Sequence, residues 1–172
     1  TLRWGYFRMV ERVDREIGRV LEALRASGRE GDTLVVFTAD HGDCAGAHGF
    51  NQKTVFYEES VRVPLIVAWK GRTPPGTSDR LVCTGIDILP TLLEAAGMEG
   101  PRELPGRSLL PLALGREVPD WRDHVISEND MVQGGVVDGM LPTLQGRMVR
   151  TDRYKYCVYS RGLRRESLVD FR

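Results

Sequence analysis

Apolar residues recur every three or four positions near the start of the chain, and this spacing predicts an amphipathic helix over residues 7–26. Charged side chains fill the opposite face, so the helix is expected to bury one side only. Gly28 follows the last periodic residue, where glycine commonly ends a helix. The apolar positions are Val10, Val13, Ile17, Val20, Leu21 and Leu24.

Two unbroken apolar runs follow the helix and predict two strands, the first of which is expected to be central and covered on both faces. The first run is Thr33–Thr38 and the second is Val63–Trp69. Alternating helices and apolar strands are typical of an α/β layer with a mainly parallel sheet and flanking helices. Weaker patterns predict a short strand at Leu81–Thr84, a helix at Ile88–Ala96 capped by Asp87, and short helical turns within 55–59 and 108–114.

Short strands separated by turn residues dominate the last third of the chain. Gly146–Arg150 and Arg153–Tyr159 flank Thr151-Asp152, and this arrangement predicts a β-hairpin. His124–Ser127 and Leu168–Asp170 predict two further strands. The sequence therefore predicts a small antiparallel sheet after the α/β layer.

A proline-rich connector at residues 101–119 separates these two patterns. We accordingly predict two units: an α/β unit over residues 1–118 and an antiparallel β-rich subdomain over residues 119–172.

The composition is that of a soluble globular domain, since 41% of the 172 residues are hydrophobic and 28% are charged. The formal net charge is zero, so neither nucleic acid nor a membrane surface is an expected partner. The apolar runs fall short of the ~20 residues that cross a bilayer. Three cysteines are too few and too scattered for a disulfide framework or a zinc site.

The tripeptide Asp40-His41-Gly42 directly follows the first apolar run and carries the clearest chemistry. Sites in α/β sheets lie at the carboxyl ends of strands, where a carboxylate beside an imidazole can ligate one cation. Lys53 follows 13 residues after Asp40, across a glycine-rich loop, and its ammonium group can hold an anion. Taken alone, the pattern also fits a turn closed by an aspartate and a solvated surface lysine.

The stretch Thr33–Trp69, TLVVFTADHGDCAGAHGFNQKTVFYEESVRVPLIVAW, closely resembles the type I sulfatases of the alkaline-phosphatase-like superfamily. Those enzymes show a strand, S/T-x-D-H-G or D-N-G, a G-x-H-G-like loop, a lysine, an aromatic-Glu segment and R-V-P-L-I-V in this order. Gly85–Leu93, Gly106–Leu110 and Arg150–Tyr156 resemble later segments of the family. The resemblance implies the family's α/β fold, with this chain as its C-terminal part.

The resemblance also implies roles for individual residues. Asp40 and His41 match the family's adjacent metal ligands, and Lys53 matches the catalytic lysine that binds the sulfate ester. His48 lies in the G-x-H-G-like motif and is a second candidate catalytic residue, whereas Glu58-Glu59 matches an acidic position that stabilises the loop. The implied ion is Ca²⁺, which suits carboxylate oxygens, while the histidine ligand also fits Mn²⁺ or Zn²⁺.

The family's nucleophile, a cysteine or serine in C/S-x-P/A-x-R that matures to formylglycine, matches no segment of this chain. Cys157-Val158-Tyr159-Ser160-Arg161 is the nearest likeness, but tyrosine replaces Pro/Ala and the order along the chain is wrong. We therefore predict that Cys157 is a packed strand cysteine.

The activity that the resemblance implies is hydrolysis of a sulfate ester, on a small molecule or a carbohydrate, by the full-length enzyme. This chain would carry part of the metal and sulfate site, so in isolation it is expected to be inactive and to bind metal weakly. An exposed sheet edge and apolar patch are expected to favour homo-oligomers.

Two other hypotheses stay open. Phosphodiester and phosphonate monoester hydrolases of the same superfamily share the Asp-His-Gly turn, and their nucleophile segment would separate them from sulfatases. A non-catalytic domain for binding or assembly would show no cation affinity, even with the remainder of the enzyme present.

Overall fold

A long helix begins the fold in the computed structural model, which describes residues 2–130 and 144–172. Helix α1 (Leu2–Ala26) contains the predicted segment and ends before Gly28, whose φ of +69° suits the predicted glycine stop. The apolar face of α1 is open among the described residues, since Val13 and Val20 are 56% and 68% exposed. The described helices include none that combines the length and the apolar character needed to cross a membrane.

Strands β1 (Leu34–Thr38) and β2 (Leu65–Trp69) lie side by side and run in opposite directions, with Leu34 opposite Trp69 and Thr38 opposite Leu65. The described residues therefore do not show the mainly parallel sheet that we predicted for this unit. An apolar strand composition indicates cover on both faces but carries no information about direction. The described segment after β1 contains no long crossover helix, and β2 begins beside the end of β1, with Leu65 opposite Thr38. The two strands are therefore antiparallel.

Three short or medium helices complete the α/β part: α2 (Glu58–Val61), α3 (Thr84–Ala95) and α4 (Leu110–Ala113). The strand predicted at residues 81–84 does not form, because Thr84 already begins α3. Helix α3 starts four residues earlier than predicted, so Asp87 lies inside its first turn instead of capping it. Single 3-10 turns occur at Glu30–Asp32 and Ala47–Gly49.

The last part of the chain forms the predicted antiparallel sheet. Its order is β3 (His124–Asp130), β4 (Gln145–Thr151), β5 (Tyr154–Tyr159) and β6 (Glu166–Asp170). The predicted hairpin is confirmed, with Met148 opposite Cys157 and Arg150 opposite Lys155 across β4 and β5. Alternate residues of β4 and β5 are buried, as expected for a sheet with one covered face.

The covered face of this sheet packs against the segment that leads into α2. Phe56, Met148 and Cys157 form a buried cluster, and Val61 and Tyr159 pack against it. The sheet therefore contacts the part of the chain that lies between Lys53 and β2.

A buried carboxylate joins three segments around α3. Asp87 is 0% exposed, and its oxygens accept two hydrogen bonds from the Arg122 guanidinium at 2.6 and 2.7 Å. They also accept the backbone N–H groups of Cys83 at 2.7 Å and Arg107 at 2.9 Å. Because the charge is paired and each oxygen is satisfied, Asp87 can hold α3 to the connector and to the segment before β3.

Replacing Asp87 with Asn keeps the shape of the side chain but leaves the Arg122 cation without its counter-charge. We expect the free energy of unfolding to fall by about 3 kcal/mol, as for other buried ion pairs that lose one partner. Urea unfolding would measure this beside Asp79→Asn, an exposed control that should change by less than about 0.5 kcal/mol. Equal stability of the two variants would contradict the structural role of Asp87.

Candidate metal and anion site

The turn after β1 brings the side chains of Asp40 and His41 together. Asp40 Oδ2 lies 3.4 Å from His41 Nε2, and Asp40 Oδ1 accepts the backbone N–H of His41 at 3.0 Å. Because β1 ends at Thr38, these neighbours escape the alternation that would point them to opposite faces of a strand. Two ligands about 2.3 Å from one cation and at right angles lie about 3.3 Å apart, so this spacing fits a shared ion.

Hydrogen bonding selects the tautomer of His41. Its Nδ1 lies 2.8 Å from the carbonyl oxygen of Gly42, which can only accept, so Nδ1 carries the proton. The lone pair of Nε2 is then directed toward Asp40 and Lys53. This is the arrangement that a metal-binding histidine needs, with one nitrogen fixed by a backbone carbonyl and the other available as a ligand.

Lys53 completes the group of three. Its Nζ lies 2.5 Å from His41 Nε2, so the ammonium group donates to the same lone pair that would ligate a cation. A cation and Lys53 cannot share this lone pair, and binding of an ion therefore requires Nζ to leave Nε2. The Asp40 side chain is 85% exposed, so the site opens to solvent.

The described residues contain no group of three His, Cys, Asp or Glu side chains arranged to hold a metal. The present donors are therefore one carboxylate and one imidazole, with an ammonium group beside them. This set fits part of a coordination shell for a divalent ion.

A closed loop carries Lys53 back to His41. Asp43 Oδ1 accepts the backbone N–H groups of Ala45 at 2.7 Å and Gln52 at 3.1 Å, which joins the two ends of the loop. The backbone N–H of Cys44 also donates to the carbonyl of Gln52 at 2.8 Å. These bonds determine where residue 53 emerges, so Asp43 supports the site without belonging to it.

The same loop holds non-glycine residues in a left-handed backbone conformation. The φ angles are +45° at Ala45, +55° at His48, +67° at Gln52 and +81° at Thr54. Such angles are uncommon for side chains with a Cβ and are least expected for β-branched threonine. They persist where surrounding contacts fix the backbone, and they often cluster near functional sites.

Gly42 is needed for a close approach between two backbones. Its N–H donates to the carbonyl of Ser60 at 2.8 Å, and a Cβ at this position would lie 1.9 Å from the carbonyl oxygen of Glu59. Contact with α2 is therefore the reason that this position requires glycine. Helix α2 thus lies directly behind the turn that carries Asp40 and His41.

His48 contacts a different set of residues. Its ring stacks on Tyr57 with 3.9 Å between centroids, and its Nε2 lies 3.3 Å from Glu59 Oε2. A hydrogen bond from its own backbone N–H lowers the pKa of the Glu59 carboxyl, and the neighbouring His48 acts in the same direction. The structure therefore brings Asp40, His41 and Lys53 together, while His48 pairs with the acidic segment of α2.

Cys157 is 3% exposed on β5, and burial raises the pKa of its thiol. A thiol of this kind is a poor nucleophile, in agreement with the packed role predicted for it. The sequence analysis missed two contacts, the close approach at Gly42 and an ion pair between Glu58 and Lys155 at 3.1 Å. An apolar pattern interrupted by lysine on β5 was the available indication of the second contact.

Replacing Gly42 with Ala should force the turn away from α2. We expect a loss of more than about 2 kcal/mol in the free energy of unfolding, because the new Cβ meets a backbone carbonyl that cannot rotate away. Gly18→Ala is the matched control, since a Cβ there meets nothing within 4 Å and alanine favours the helix by about 1 kcal/mol. Thermal unfolding in which Gly42→Ala is as stable as the starting protein would refute the close approach.

The fold and this site define a class: an α/β protein with a carboxylate, an imidazole and an ammonium group close together at the carboxyl end of a strand. The Sulfatase family model matches residues 3–98, which is more than half of the chain. The chain belongs to the sulfatase family, which has the alkaline-phosphatase-like α/β fold.

Individual relatives agree with this assignment. N-acetylglucosamine-6-O-sulfatase of Bacteroides thetaiotaomicron is 36% identical over 119 residues, which cover 68% of this chain and 21% of that protein. A structure solved with its substrate D-glucosamine-2-N,6-O-disulfate superposes with a TM-score of 0.80 and 28% identity, over 94% of this chain and 32% of the other. The phosphonate monoester hydrolase of Silicibacter pomeroyi gives a TM-score of 0.80 and 31% identity, over 92% of this chain and 32% of the other.

The chain spans between 20% and 31% of the length of the curated relatives that it matches.

Proposed function

We propose that the full-length protein hydrolyses sulfate esters and that this chain supplies part of its metal and sulfate site. The observation that carries the proposal is the convergence of Asp40, His41 and Lys53 at the end of β1. These three side chains lie within the segment that matches the Sulfatase family model. A turn and surface lysine without function would not require the carboxylate, the Nε2 lone pair and the ammonium group to meet.

Asp40 and His41 would hold a divalent cation, which we propose is Ca²⁺, with Mn²⁺ or Zn²⁺ as the alternatives that a histidine ligand permits. When bound, such an ion polarises an ester oxygen and stabilises negative charge. The remaining ligands would come from outside the described residues. Gly42 and the Nδ1 hydrogen bond would keep the imidazole oriented for this role.

Lys53 would bind the sulfate group and neutralise charge on its oxygens as the ester bond breaks. Its contact with His41 Nε2 supports this, because the ammonium group already reaches the cation ligands. The nucleophile would be a formylglycine elsewhere in the protein, since Cys157 is buried. The catalytic role predicted for His48 stays a prediction, and its contacts with Tyr57 and Glu59 support a role in holding the loop.

For the substrate we propose a sulfated carbohydrate. Support comes from the relative named an N-acetylglucosamine-6-O-sulfatase and from the structural neighbour bound to a glucosamine disulfate. We further propose that β1 and β2 join the mainly parallel sheet of the whole protein, with residues 1–118 and 119–172 as separate units. Self-association of the isolated chain stays a prediction, for which the open apolar face of α1 is a reason.

A second candidate is hydrolysis of phosphonate monoesters, which the Silicibacter pomeroyi enzyme favours through its TM-score of 0.80. Sulfuryl and phosphoryl esters both present anionic oxygens to a metal and a lysine, so the described residues serve either reaction. The named relatives are mainly sulfatases, and the sulfatase proposal is therefore preferred.

The role of Lys53 can be tested by Lys53→Ala in the full-length protein, with Lys70→Ala as control because Lys70 pairs with Glu30 at the surface. We expect kcat/KM for 4-nitrophenyl sulfate to fall by about 10²–10³-fold in the first variant and to stay unchanged in the second. Phenyl phosphonate monoesters, assayed in parallel, separate the two candidate reactions. Undiminished activity of Lys53→Ala on both substrates would contradict a role for Lys53 in binding the ester.

Removal of divalent ions provides a separate test of the metal site. Dialysis of the full-length protein against a chelator should abolish hydrolysis, and added Ca²⁺, Mn²⁺ or Zn²⁺ should restore it. Asp40→Asn should raise the metal concentration needed for half-maximal recovery by at least about tenfold, because it removes a charged ligand. Full activity in metal-free protein, with the metal content checked by mass spectrometry, would contradict a metal role.

A further inference from the structure

The described chain buries a lysine that is not one of the three side chains of the candidate site. Lys155 on β5 is 4% exposed, although lysine is almost never buried unless it is paired. Its Nζ lies 3.1 Å from Glu58 Oε1, at the start of α2. The Arg150 guanidinium reaches the same oxygen at 3.8 Å, and both cations lie over the ring of Phe171.

These cations share one face of the C-terminal sheet. Met148 is opposite Cys157 and Arg150 is opposite Lys155, so all four side chains project from the same side of β4 and β5. This inner face contacts the chain at two points. Phe56 packs against Met148 and Cys157, and Glu58, two residues later, pairs with Lys155.

The segment that these contacts hold, residues 53–60, touches the candidate site at both of its ends. Lys53 precedes Phe56 by three residues, and Ser60 follows Glu58 by two. The carbonyl of Ser60 accepts the N–H of Gly42 at 2.8 Å, directly beside His41. The inner face of the sheet therefore holds the middle of the segment 53–60, at Phe56 and Glu58. Lys53 begins this segment, and Ser60, which supports the Gly42 turn, ends it.

The ion pairs at Glu58 involve more positive than negative charge. Two cations converge on one carboxylate, and Arg150 Nη1 is buried without a hydrogen-bond partner among the described residues. Lys155 makes the shorter of the two ion pairs, so it contributes most to holding Glu58. Loss of Lys155 would leave Glu58 with the 3.8 Å contact and free α2 to shift relative to the sheet.

We propose that Lys155 is a positioning residue, which acts through Glu58 and α2 to place Lys53 and the Gly42 turn. The proposal extends the proposed function, because it assigns the C-terminal sheet a part in aligning the same metal and sulfate site. It also accounts for a buried charge on β5 where an apolar residue would pack at a lower cost.

Lys155→Met in the full-length protein tests this, with Lys70→Met as the matched control. We expect kcat/KM for 4-nitrophenyl sulfate to fall on the order of tenfold, mainly through a higher KM, because Lys53 is displaced from the sulfate. Hydrogen exchange at the Gly42 amide should accelerate, while exchange in the β1–β2 ladder should not change. The exchanged pair Glu58→Lys/Lys155→Glu restores one ion pair and should recover at least part of both losses.

Hydrogen exchange keeps this proposal separate from the proposed function. If the starting protein hydrolyses no sulfate ester, the proposed function fails, and the Gly42 amide still decides whether Lys155 positions the turn. If Lys155→Met does not fold, the milder Glu58→Gln carries the same expectations. Faster exchange throughout the protein, or unchanged exchange at Gly42, would overturn the proposal and leave Lys155 with a general structural role.

Discussion

The close approach of the Gly42 backbone to α2 is the contact on which the candidate site depends. It brings the turn after β1 within hydrogen-bonding distance of Ser60 and leaves no room for a Cβ. Asp40 and His41 lie on one side of this contact and the acidic start of α2 lies on the other. Because the two backbones touch, a shift of α2 would also displace the turn that carries Asp40 and His41.

The loop of residues 43–52 and the C-terminal sheet also restrict the positions of Lys53 and α2. The loop closed by Asp43 returns the chain so that Lys53 Nζ meets His41 Nε2, and it tolerates left-handed backbone angles at several non-glycine residues. The C-terminal sheet then holds the following segment through Phe56 and Glu58. The group of side chains at the end of β1 is thus linked, through Phe56 and Glu58, to a sheet that begins more than 80 residues later.

Local patterns in the sequence predicted much of this arrangement. Helical periodicity identified α1, turn residues identified the β4–β5 hairpin, and the order of motifs identified Asp40, His41 and Lys53 as a group. The direction of β2 relative to β1 was not predictable, because apolar composition is the same for parallel and antiparallel partners. The contacts at Gly42 and Lys155 were also missed, since each joins residues far apart in sequence whose meeting depends on the complete fold.

A crystal structure of the full-length protein with Mn²⁺ and inorganic sulfate would test the central claim most directly. Anomalous scattering should locate an ion about 2.1–2.5 Å from an Asp40 oxygen and from His41 Nε2. Lys53 Nζ should have left Nε2 to contact a sulfate oxygen. An ion bound elsewhere, with Lys53 still on His41 and Asp40 directed into solvent, would contradict the account.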